Sequence, residues 1–264
     1  MAPYFSGELL YGDDFTPQEI QCWYDDEAEG YAQLEEGRRA KEKYAFHALN
    51  GHYGFKHLSS RQHRRILGLG SASGEELRPV LPGASRVVIV EPSDAFVRQE
   101  IDGVPVTYIK PRPDGVLPFE DGSFDLVTCF STLHHIPNVT AVVREVSRCM
   151  SKGGQMLLRE PVTSMGDWRA PRKGLTKHER GIPQAILQRV VLEAGLAINR
   201  ERVCMFSVIG MLSPLLGIAP YNSRFMVQVD RVLCAMSRWN MRYHRETFWQ
   251  KLAPWSAFLV LEKR

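Results

Sequence analysis

A glycine-rich turn follows a short apolar run near residue 65 and restricts the folds open to this chain. The run at residues 66–69 ends in three closely spaced small residues, Gly70, Ala72 and Gly74. A helix-compatible segment follows at residues 75–81, so the pattern predicts a strand, a tight turn and a helix. Small residues let a ligand approach the backbone, and a helix start adds unpaired N–H donors. Taken alone, the pattern is equally typical of a plain turn.

A second apolar run, residues 86–90, ends in an acidic residue, Glu91. It lies about 20 residues beyond the turn, which is the spacing of a nucleoside-binding βαβ unit. In such folds an acid at the tip of the second strand binds the ribose hydroxyls. The two runs therefore favour a nucleoside-binding α/β fold over an isolated turn.

Three later motifs complete the pattern. Residues 117–125 read LPFEDGSFD, residues 133–136 read LHHI, and residues 152–160 read KGGQMLLRE. Together with the turn and Glu91, these motifs resemble the class I S-adenosylmethionine-dependent methyltransferases that act on small molecules. The resemblance covers residues 60–205 and is greatest to methyltransferases of bacterial glycan and secondary-metabolite pathways.

The resemblance implies a cofactor site for S-adenosyl-L-methionine, with S-adenosyl-L-homocysteine as the product. In the family, Gly70, Ala72 and Gly74 match the loop under the methionine part of the cofactor, and Glu91 matches the ribose-binding acid. Asp114, the carboxylate shortly before LPF, takes the place of the adenine-contacting acid. The remaining cofactor contacts that the resemblance implies are Gly68, Ser71, Pro92 and Phe130.

Two positions depart from the family pattern. Gly68 stands where the family usually has an acidic residue, and Ala72 stands where it usually has glycine. The missing acid removes a contact near the amino end of the cofactor, and the extra methyl group narrows the loop slightly. We expect these changes to lower the affinity for the cofactor without abolishing the site.

Residues 1–60 precede the first predicted strand and are interpreted as an amino-terminal helical lid segment. Thr16 and Glu19 have the spacing of a capping box, which predicts a helix from residue 17 to about residue 29. The spacing of apolar residues predicts a second helix over about 35–50.

Residues 23–31, in this segment, resemble the part of many such methyltransferases that helps to cover the cofactor. Tyr24 and Tyr31 are therefore candidate cofactor contacts, because aromatic faces attract a sulfonium cation. The alternative is that both tyrosines are half-buried helix aromatics.

Residues 61–264 are predicted to form one domain. Apolar runs alternate with helix-compatible segments, which implies a parallel sheet with helices on both faces and a ligand site at the carboxyl ends of the strands. In the family the last strand is antiparallel and lies between the fifth and sixth. We therefore predict an α/β, doubly wound, Rossmann-like sheet of seven strands. The strands are expected near 65–69, 86–90, 105–109, 124–131, 154–160, 197–207 and 256–262, with helices near 74–81, 93–100 and 138–150.

Two long segments interrupt this alternation. Residues 160–183 are polar and broken by glycine and proline, which is typical of a functional loop, and His178, Glu179 and Arg180 are minor candidate site residues within it. Residues 208–252 are rich in Met, Leu, Phe and Trp. We expect this helical insertion to cover the substrate, and the alternative is that it extends the core.

Composition limits the expected partners and location. The net charge of +3 is lower than that of most nucleic-acid binders, and no Asn-Pro-Pro-Tyr type motif follows the fourth strand, so we expect no nucleic-acid partner. The five cysteines form no C-x-x-C pair, and the carboxylates show no ligand spacing with histidine, so no disulfide framework or metal site is predicted. The chain has no signal-peptide pattern and no run of ~20 apolar residues, so we expect a cytoplasmic protein without an integral membrane segment. A homo-oligomer is compatible with these features.

Four residues at the predicted ligand edge can carry chemistry. Methyl transfer to an alcohol needs in-line positioning of the acceptor and a base for its proton. His134 and His135 end the fourth strand, and only one of them is expected to face the substrate. Glu160 is a candidate base or hydroxyl-binding group, and Arg159 is either its partner or a clamp for phosphate or carboxylate. The alternatives are cofactor packing for the histidines and a structural ion pair for Arg159 and Glu160.

These observations lead us to expect methyl transfer to a small-molecule acceptor, with O-methylation of a hydroxyl on a sugar, glycan precursor or natural product preferred. C- or N-methylation of a secondary metabolite is the near alternative. A binding module without catalysis is supported only by Gly68. The turn lacks the G-x-G-x-x-G spacing of a nucleotide-dependent oxidoreductase, which opposes that class.

Overall fold

The computed structural model describes residues 1–38, 44–59, 63–172 and 174–264. The side chains of residues 28–38 and 212–216 are outside this description. Tyr31 therefore lies in the first long helix as a backbone position, and its predicted contact with the cofactor falls outside the described side chains.

One mixed sheet organises the described part of the chain. Its strands are β1 (Arg65–Leu69), β2 (Arg86–Val90), β3 (Glu100–Ile101), β4 (Val104–Ile109), β5 (Phe124–Phe130), β6 (Met150–Pro161), β7 (Leu196–Phe206) and β8 (Pro254–Lys263), in the order β3-β4-β2-β1-β5-β6-β8-β7. Strands β4, β2, β1, β5 and β6 pair in parallel, whereas β8 runs antiparallel to both β6 and β7. The predicted doubly wound sheet with an antiparallel last strand is confirmed, and it gains one short strand.

The additional strand, β3, comes from a local signal that the sequence interpretation missed. Asp102 and Gly103 have positive φ values of 50° and 79° and connect β3 to β4 in a two-residue hairpin. An Asp-Gly pair is a strong signal for such a turn because its backbone twist matches that of the strands. The predicted helix at 93–100 is wrong, since only a 3₁₀ turn, Asp94–Phe96, forms before the hairpin.

The α-helices of the described residues flank the sheet and extend from its two ends. They are α1 (Ala2–Ser6), α2 (Pro17–Arg38), α3 (His47–Tyr53), α4 (Val139–Cys149), α5 (Gln184–Glu193), α6 (Ser207–Leu216), α7 (Arg224–Ser237) and α8 (Phe248–Lys251). None of the helices in the described part of the chain is long and apolar enough to cross a bilayer.

The amino-terminal helices differ in length from the prediction. The capping box at the start of α2 is confirmed, because the Glu19 carboxylate accepts the Thr16 N–H at 2.8 Å and the Glu19 N–H donates back to Thr16 Oγ1 at 3.4 Å. The single helix predicted over 35–50 is wrong, because residues 44–46 are not helical and α3 begins only after them. Residues 39–43 of that prediction lie outside the described residues.

Two buried layers hold the sheet between helices. Side chains alternate along β1 and β2, so Leu67 and Val88 pack toward α4 and α5, while Ile66 and Val87 pack on the opposite face. That opposite face is covered by a 3₁₀ helix, Glu75–Val80, which has proline within it and therefore does not form the predicted α-helix. Apolar burial on both faces explains the nearly continuous apolar runs of these strands.

The insertion before β8 packs beside β7 rather than forming a separate unit. The inner face of α7 buries Val227 and Cys234, and the buried Asp230 carboxylate accepts the N–H groups of Met205 and Phe206 at 3.0 and 2.7 Å. These bonds fix which face of α7 points inward.

Candidate active site

The glycine-rich turn lies at the carboxyl end of β1 in a left-handed backbone conformation. Gly70 and Gly74 have φ values of 65° and 75°. A Cβ atom on Gly70 would lie 2.4 Å from the side chain of Thr132, and one on Gly74 would lie 2.1 Å from Ile101. Position 70 therefore requires glycine for space as well as for conformation, and position 74 requires it for conformation. Ala72, with φ of 45°, adopts a similar conformation with a side chain, which costs about 1 kcal/mol.

Glu91 is held against this turn from the end of β2. Its carboxylate is buried and accepts the N–H groups of Ala72 and Ser93, both at 3.1 Å. The Tyr108 hydroxyl donates to the Ala72 carbonyl at 3.0 Å from β4. The turn and the acid predicted for the cofactor site are thus joined at one edge of the sheet. A carboxylate has about four acceptor positions, which is why an acid at this place can serve both backbone N–H groups and ribose hydroxyls.

A second buried carboxylate lies beside the turn, and the sequence interpretation missed it. A Cβ on Gly68 would lie 2.4 Å from Ser71 Oγ, so Ser71 occupies the space that an acidic side chain at position 68 would need. Ser71 Oγ donates to Glu76 Oε1 at 2.6 Å, and Thr128 Oγ1 donates to the same oxygen at 3.1 Å. Burial raises the pKa of Glu76 to about 7. A carboxyl group thus lies beside the turn although position 68 has none, and the only sequence signal for Glu76 was its place in the segment after Gly74.

Two of the other predicted cofactor residues lie near the surface. Pro92 is exposed, and its carbonyl accepts the Lys110 ammonium. Asp114 is exposed and is paired with Arg112, which lowers its pKa. Tyr24 is half-buried, and burial, with a smaller contribution from the Asp114 charge, raises its pKa to about 12.

Arg159 is buried at the end of β6, and its described contacts do not include the ion pair with Glu160 that was one alternative for this residue. Adjacent residues of a strand point to opposite faces, so the two side chains diverge. The guanidinium lies 4.3 Å from the ring of Phe46 and 5.5 Å from that of Phe130, the predicted cofactor contact at the end of β5. It donates to Asn50 Oδ1 at 3.0 Å, and its Nε atom has no hydrogen-bond partner among the described residues. A buried cation with an unused donor suits an anionic group of a ligand.

Glu160 instead binds His134. Its Oε2 lies 2.8 Å from His134 Nδ1, and its Oε1 accepts the N–H groups of Thr132 and Leu133 at 2.8 Å. His134 Nε2 faces Glu179 Oε1 at 3.5 Å. Burial would lower the pKa of His134, but the hydrogen bonds to the two carboxylates outweigh it and raise the pKa to about 9. The two carboxylates therefore favour the protonated form of His134, which makes it a poorer candidate for the base than His135.

His135 has a different environment. Its Nδ1 lies 3.0 Å from Glu27 Oε2, and its side chain keeps 16% of its surface exposed. Glu27 and Trp23 are four residues apart and lie on the same face of α2. The Trp23 indole N–H donates to the backbone carbonyl of His135 at 2.8 Å. The helix predicted as a lid thus holds His135 by its ring and by its backbone.

Arg180, in the long loop after β6, anchors the segment that carries His134 and His135. Its guanidinium is fully buried and donates to five backbone carbonyls, which belong to Tyr11, Leu133, His134, Ile136 and Pro137. Burial lowers the pKa of Arg180 to about 10. Because every donor of the guanidinium faces a carbonyl, Arg180 fixes the backbone of the LHHI motif.

The LHHI motif and the loop after β6 also bring possible metal ligands together. The sequence offered no such indication, because its carboxylates show no ligand spacing with histidine. A nitrogen of His134, a nitrogen of His135 and an oxygen of Glu179 lie within 4.8 Å of one another. Both ring nitrogens of His134 also face carboxylates, Glu160 Oε2 at 2.8 Å and Glu179 Oε1 at 3.5 Å, so the same residues form a charged network around the LHHI motif.

The sequence is similar to known methyltransferases. Residues 67–158 match the family model of a methyltransferase domain. The chain is 29% identical over 110 residues to the uncharacterized methyltransferase YcgJ of Bacillus subtilis, which covers 39% of this chain and 43% of that protein. It is 35% identical over 118 residues to a tRNA U34 carboxymethyltransferase of Alcanivorax borkumensis, which covers 42% of this chain and 36% of that protein. The matches thus span less than half of these relatives.

The fold is similar to a solved structure over a longer range. The crystal structure of YcgJ from Bacillus subtilis aligns with a TM-score of 0.54 at 20% identity, and the alignment covers 83% of this chain and 98% of that one. The matched family segment contains the glycine-rich turn, Glu91 and the LHHI motif. Residues 67–158 thus match a methyltransferase domain, and the chain has the fold of the class I S-adenosylmethionine-dependent methyltransferases.

Proposed function

We propose that this protein transfers the methyl group of S-adenosyl-L-methionine to a hydroxyl group of a small-molecule acceptor. The observation that carries this proposal is the pairing of His135 with Glu27 at the same sheet edge as the glycine-rich turn and Glu91. Glu91 would hold the ribose of the cofactor and the glycine-rich turn its methionine part, and the cofactor would supply the methyl group at this edge of the sheet, where β5 and β6 also end. His135 is the partly exposed histidine at that edge.

The proposed role of His135 is general base. With Nδ1–H donating to Glu27, the lone pair lies on Nε2, which accepts the hydroxyl proton as the new O–CH₃ bond forms and the S–CH₃ bond breaks. The electron pair of the broken bond stays on sulfur, which leaves as neutral S-adenosyl-L-homocysteine. Glu27 keeps the ring oriented and stabilises the imidazolium that results.

The other residues around the LHHI motif are proposed to position His135 and the cofactor, and they take no part in the proton transfer. Glu160 and Glu179 favour the protonated form of His134, and Arg180 holds the carbonyls around it. Arg159, with an unused donor beside two aromatic rings, is proposed to bind the carboxylate of the cofactor's methionine part. The turn would therefore present His135 to the acceptor at a fixed distance from the methyl group, where positioning supplies much of the rate.

A small acceptor fits better than the tRNA named for one relative. The net charge of +3 is modest, and the closed N-terminal lid over His135 leaves a partly buried base rather than an open groove. A sugar, a glycan precursor or a natural product with a free hydroxyl is the proposed class of acceptor. The pH dependence of turnover distinguishes C- and N-methylation from O-methylation. An acceptor that loses no acidic proton does not need the base, so its turnover should not depend on the protonation of His135.

The test is a calorimetric titration with S-adenosyl-L-methionine, followed by an acceptor screen that records release of S-adenosyl-L-homocysteine. We expect one-site binding, and turnover on hydroxylated acceptors with a new methyl ether in the mass spectrum of the product. Binding without turnover on hydroxylated, amine or carbon acceptors would favour the non-catalytic binding module. A methylated nitrogen or carbon would replace the proposed O-methylation while leaving the cofactor site intact.

A further inference from the structure

One helix of the insertion presents an apolar stripe to solvent. Phe225, Val232, Met236 and Trp239 lie at or just beyond α7 and have exposed fractions between 50% and 85%. Their spacings of seven, four and three residues place them on one face of a helix. Such a stripe is unusual for solvent-facing positions, because apolar stripes normally face the core.

The stripe is held outward by the packing of the opposite face. Val227 and Cys234 are buried on that side, and Asp230 accepts two backbone N–H groups at the end of β7. Rotating α7 to hide the stripe would break these bonds and expose Val227 and Cys234. The exposure of the stripe is therefore part of the fold.

A second pair of aromatic residues extends this surface. The side-chain amide of Asn240 donates to the Trp249 carbonyl at 2.7 Å, which brings α8 beside the end of α7. Phe248 and Trp249, on α8, are largely exposed. We call the stripe and these two residues the aromatic face.

Positive charge accompanies the aromatic face. Arg224, Arg231 and Arg238 repeat at seven-residue intervals, so they form one row along the flank of α7, and all three are exposed. Residues 207–252 hold six basic and two acidic residues, which gives a formal charge of +4, whereas the whole chain carries +3. The basic character of the protein is thus concentrated in the insertion.

We propose that the aromatic face docks on the surface of a bilayer that contains anionic lipid. Helices that lie in a membrane interface combine an apolar face with tryptophan and phenylalanine and a basic flank, and the basic residues pair with lipid phosphates. Tryptophan is enriched at the level of the headgroups. This inference does not depend on the proposed methyl transfer, because it concerns a different face of the molecule.

The charge row favours this partner over two others. Two copies of the chain packed through their stripes would bring rows of arginine close to each other, and like charges oppose such an interface. Nucleic acid would use the arginines and the aromatic rings, but Val232 and Met236 offer no flat surface for a base. A bilayer uses the aliphatic, aromatic and basic side chains together.

The experiment is co-sedimentation of the full chain with vesicles of phosphatidylcholine alone or mixed equally with phosphatidylglycerol. We expect binding to the mixed vesicles that weakens with salt. The variant Phe225→Ser/Trp239→Ser and the variant Arg231→Glu/Arg238→Glu should each bind about tenfold more weakly or worse. Leu192→Ser and Lys152→Glu, which change exposed residues outside the insertion, are the matched controls and should bind like the unaltered protein.

Three outcomes would overturn the proposal. The first is absence of binding by the unaltered protein, and the second is equal binding by the variants and the controls. The third is a dimer in light scattering, or a complex with tRNA in a gel shift, that the same variants abolish while vesicle binding persists. Circular dichroism of each variant establishes that loss of binding does not reflect loss of fold.

Discussion

The two halves of the candidate active site are built in different ways. The proposed cofactor half consists of the glycine-rich turn and Glu91, which lie at the ends of adjacent strands and are joined by a hydrogen bond between Ala72 N–H and Glu91, 19 positions apart. The proposed acceptor half consists of His134 and His135, and its partners come from α2 and from the loop after β6. The first half depends on backbone shape, and the second depends on charged side chains brought together by the fold.

This difference predicts separate failures. Changes in the cofactor half should alter binding of S-adenosyl-L-methionine, whereas changes at His135 should alter turnover and leave that binding intact. A variant that moved both quantities equally would show that the two halves are one unit.

The largest effect is expected at His135. His135→Gln keeps a polar side chain but removes the base, so turnover should fall by about 10²–10⁴-fold while the dissociation constant of S-adenosyl-L-methionine stays unchanged. His178→Gln is the matched control, because the His178 ring pairs with Asp26 on α2 but has no part in the proposed proton transfer. Equal losses of turnover and cofactor affinity in His135→Gln would make it a packing residue.

Gly70→Ala tests the cofactor half. The new Cβ meets Thr132, and the alanine must adopt a positive φ. The losses in unfolding free energy and in cofactor-binding free energy should therefore add up to about 2–4 kcal/mol. Gly103→Ala is the control, because φ there is also positive but no atom lies within 4 Å of the new Cβ. It should cost only about 1 kcal/mol of unfolding free energy and leave cofactor affinity unchanged. Similar behaviour of the two variants would refute the steric account of the turn.

Glu91→Ala should weaken cofactor binding by about 1.5–3 kcal/mol, which is the scale for hydrogen bonds to a charged group. Calorimetry measures this change directly. If the affinity is unchanged, Glu91 only ties the turn to β2 and does not reach the ribose.

The smallest expected effect is a pH dependence of stability. The pKa of His134 is raised above its unfolded value near 6.5 to about 9, so its contribution is complete below pH 6.5 and is lost as the pH rises toward 9. The free energy of unfolding from urea titrations should therefore fall by about 1–2 kcal/mol between pH 7 and pH 9. The variant His134→Gln should lack this part of the pH dependence of the unfolding free energy. An identical pH dependence in both proteins would contradict the raised pKa of His134 in the folded state.

The sequence predicts the local geometry of the proposed cofactor half because the determinants of that geometry are local. A turn of small residues, an acid after an apolar run and the Thr16–Glu19 capping box are each set by neighbours in the chain, and the structure contains all three in the expected places. The Asp102–Gly103 hairpin was equally local and could have been predicted from the same turn chemistry.

The acceptor half could not be derived in this way. Glu27 reaches His135 across 108 positions, and nothing in the local spacing distinguishes it from Asp25 or Asp26. Arg180 can be buried because its guanidinium binds carbonyls from two separate segments, Tyr11 and residues 133–137. Such partners depend on how α2 and the long loop close over the sheet edge, and tertiary packing decides that.

The most direct test of the account is a calorimetric titration of the unaltered protein and His135→Gln with S-adenosyl-L-methionine. The account predicts saturable one-site binding with the same dissociation constant for both proteins, since His135 serves the acceptor and not the cofactor. Absence of binding by the unaltered protein would show that Gly68 and Ala72 have closed the cofactor site. Binding that His135→Gln abolishes would show that the two halves are not separate.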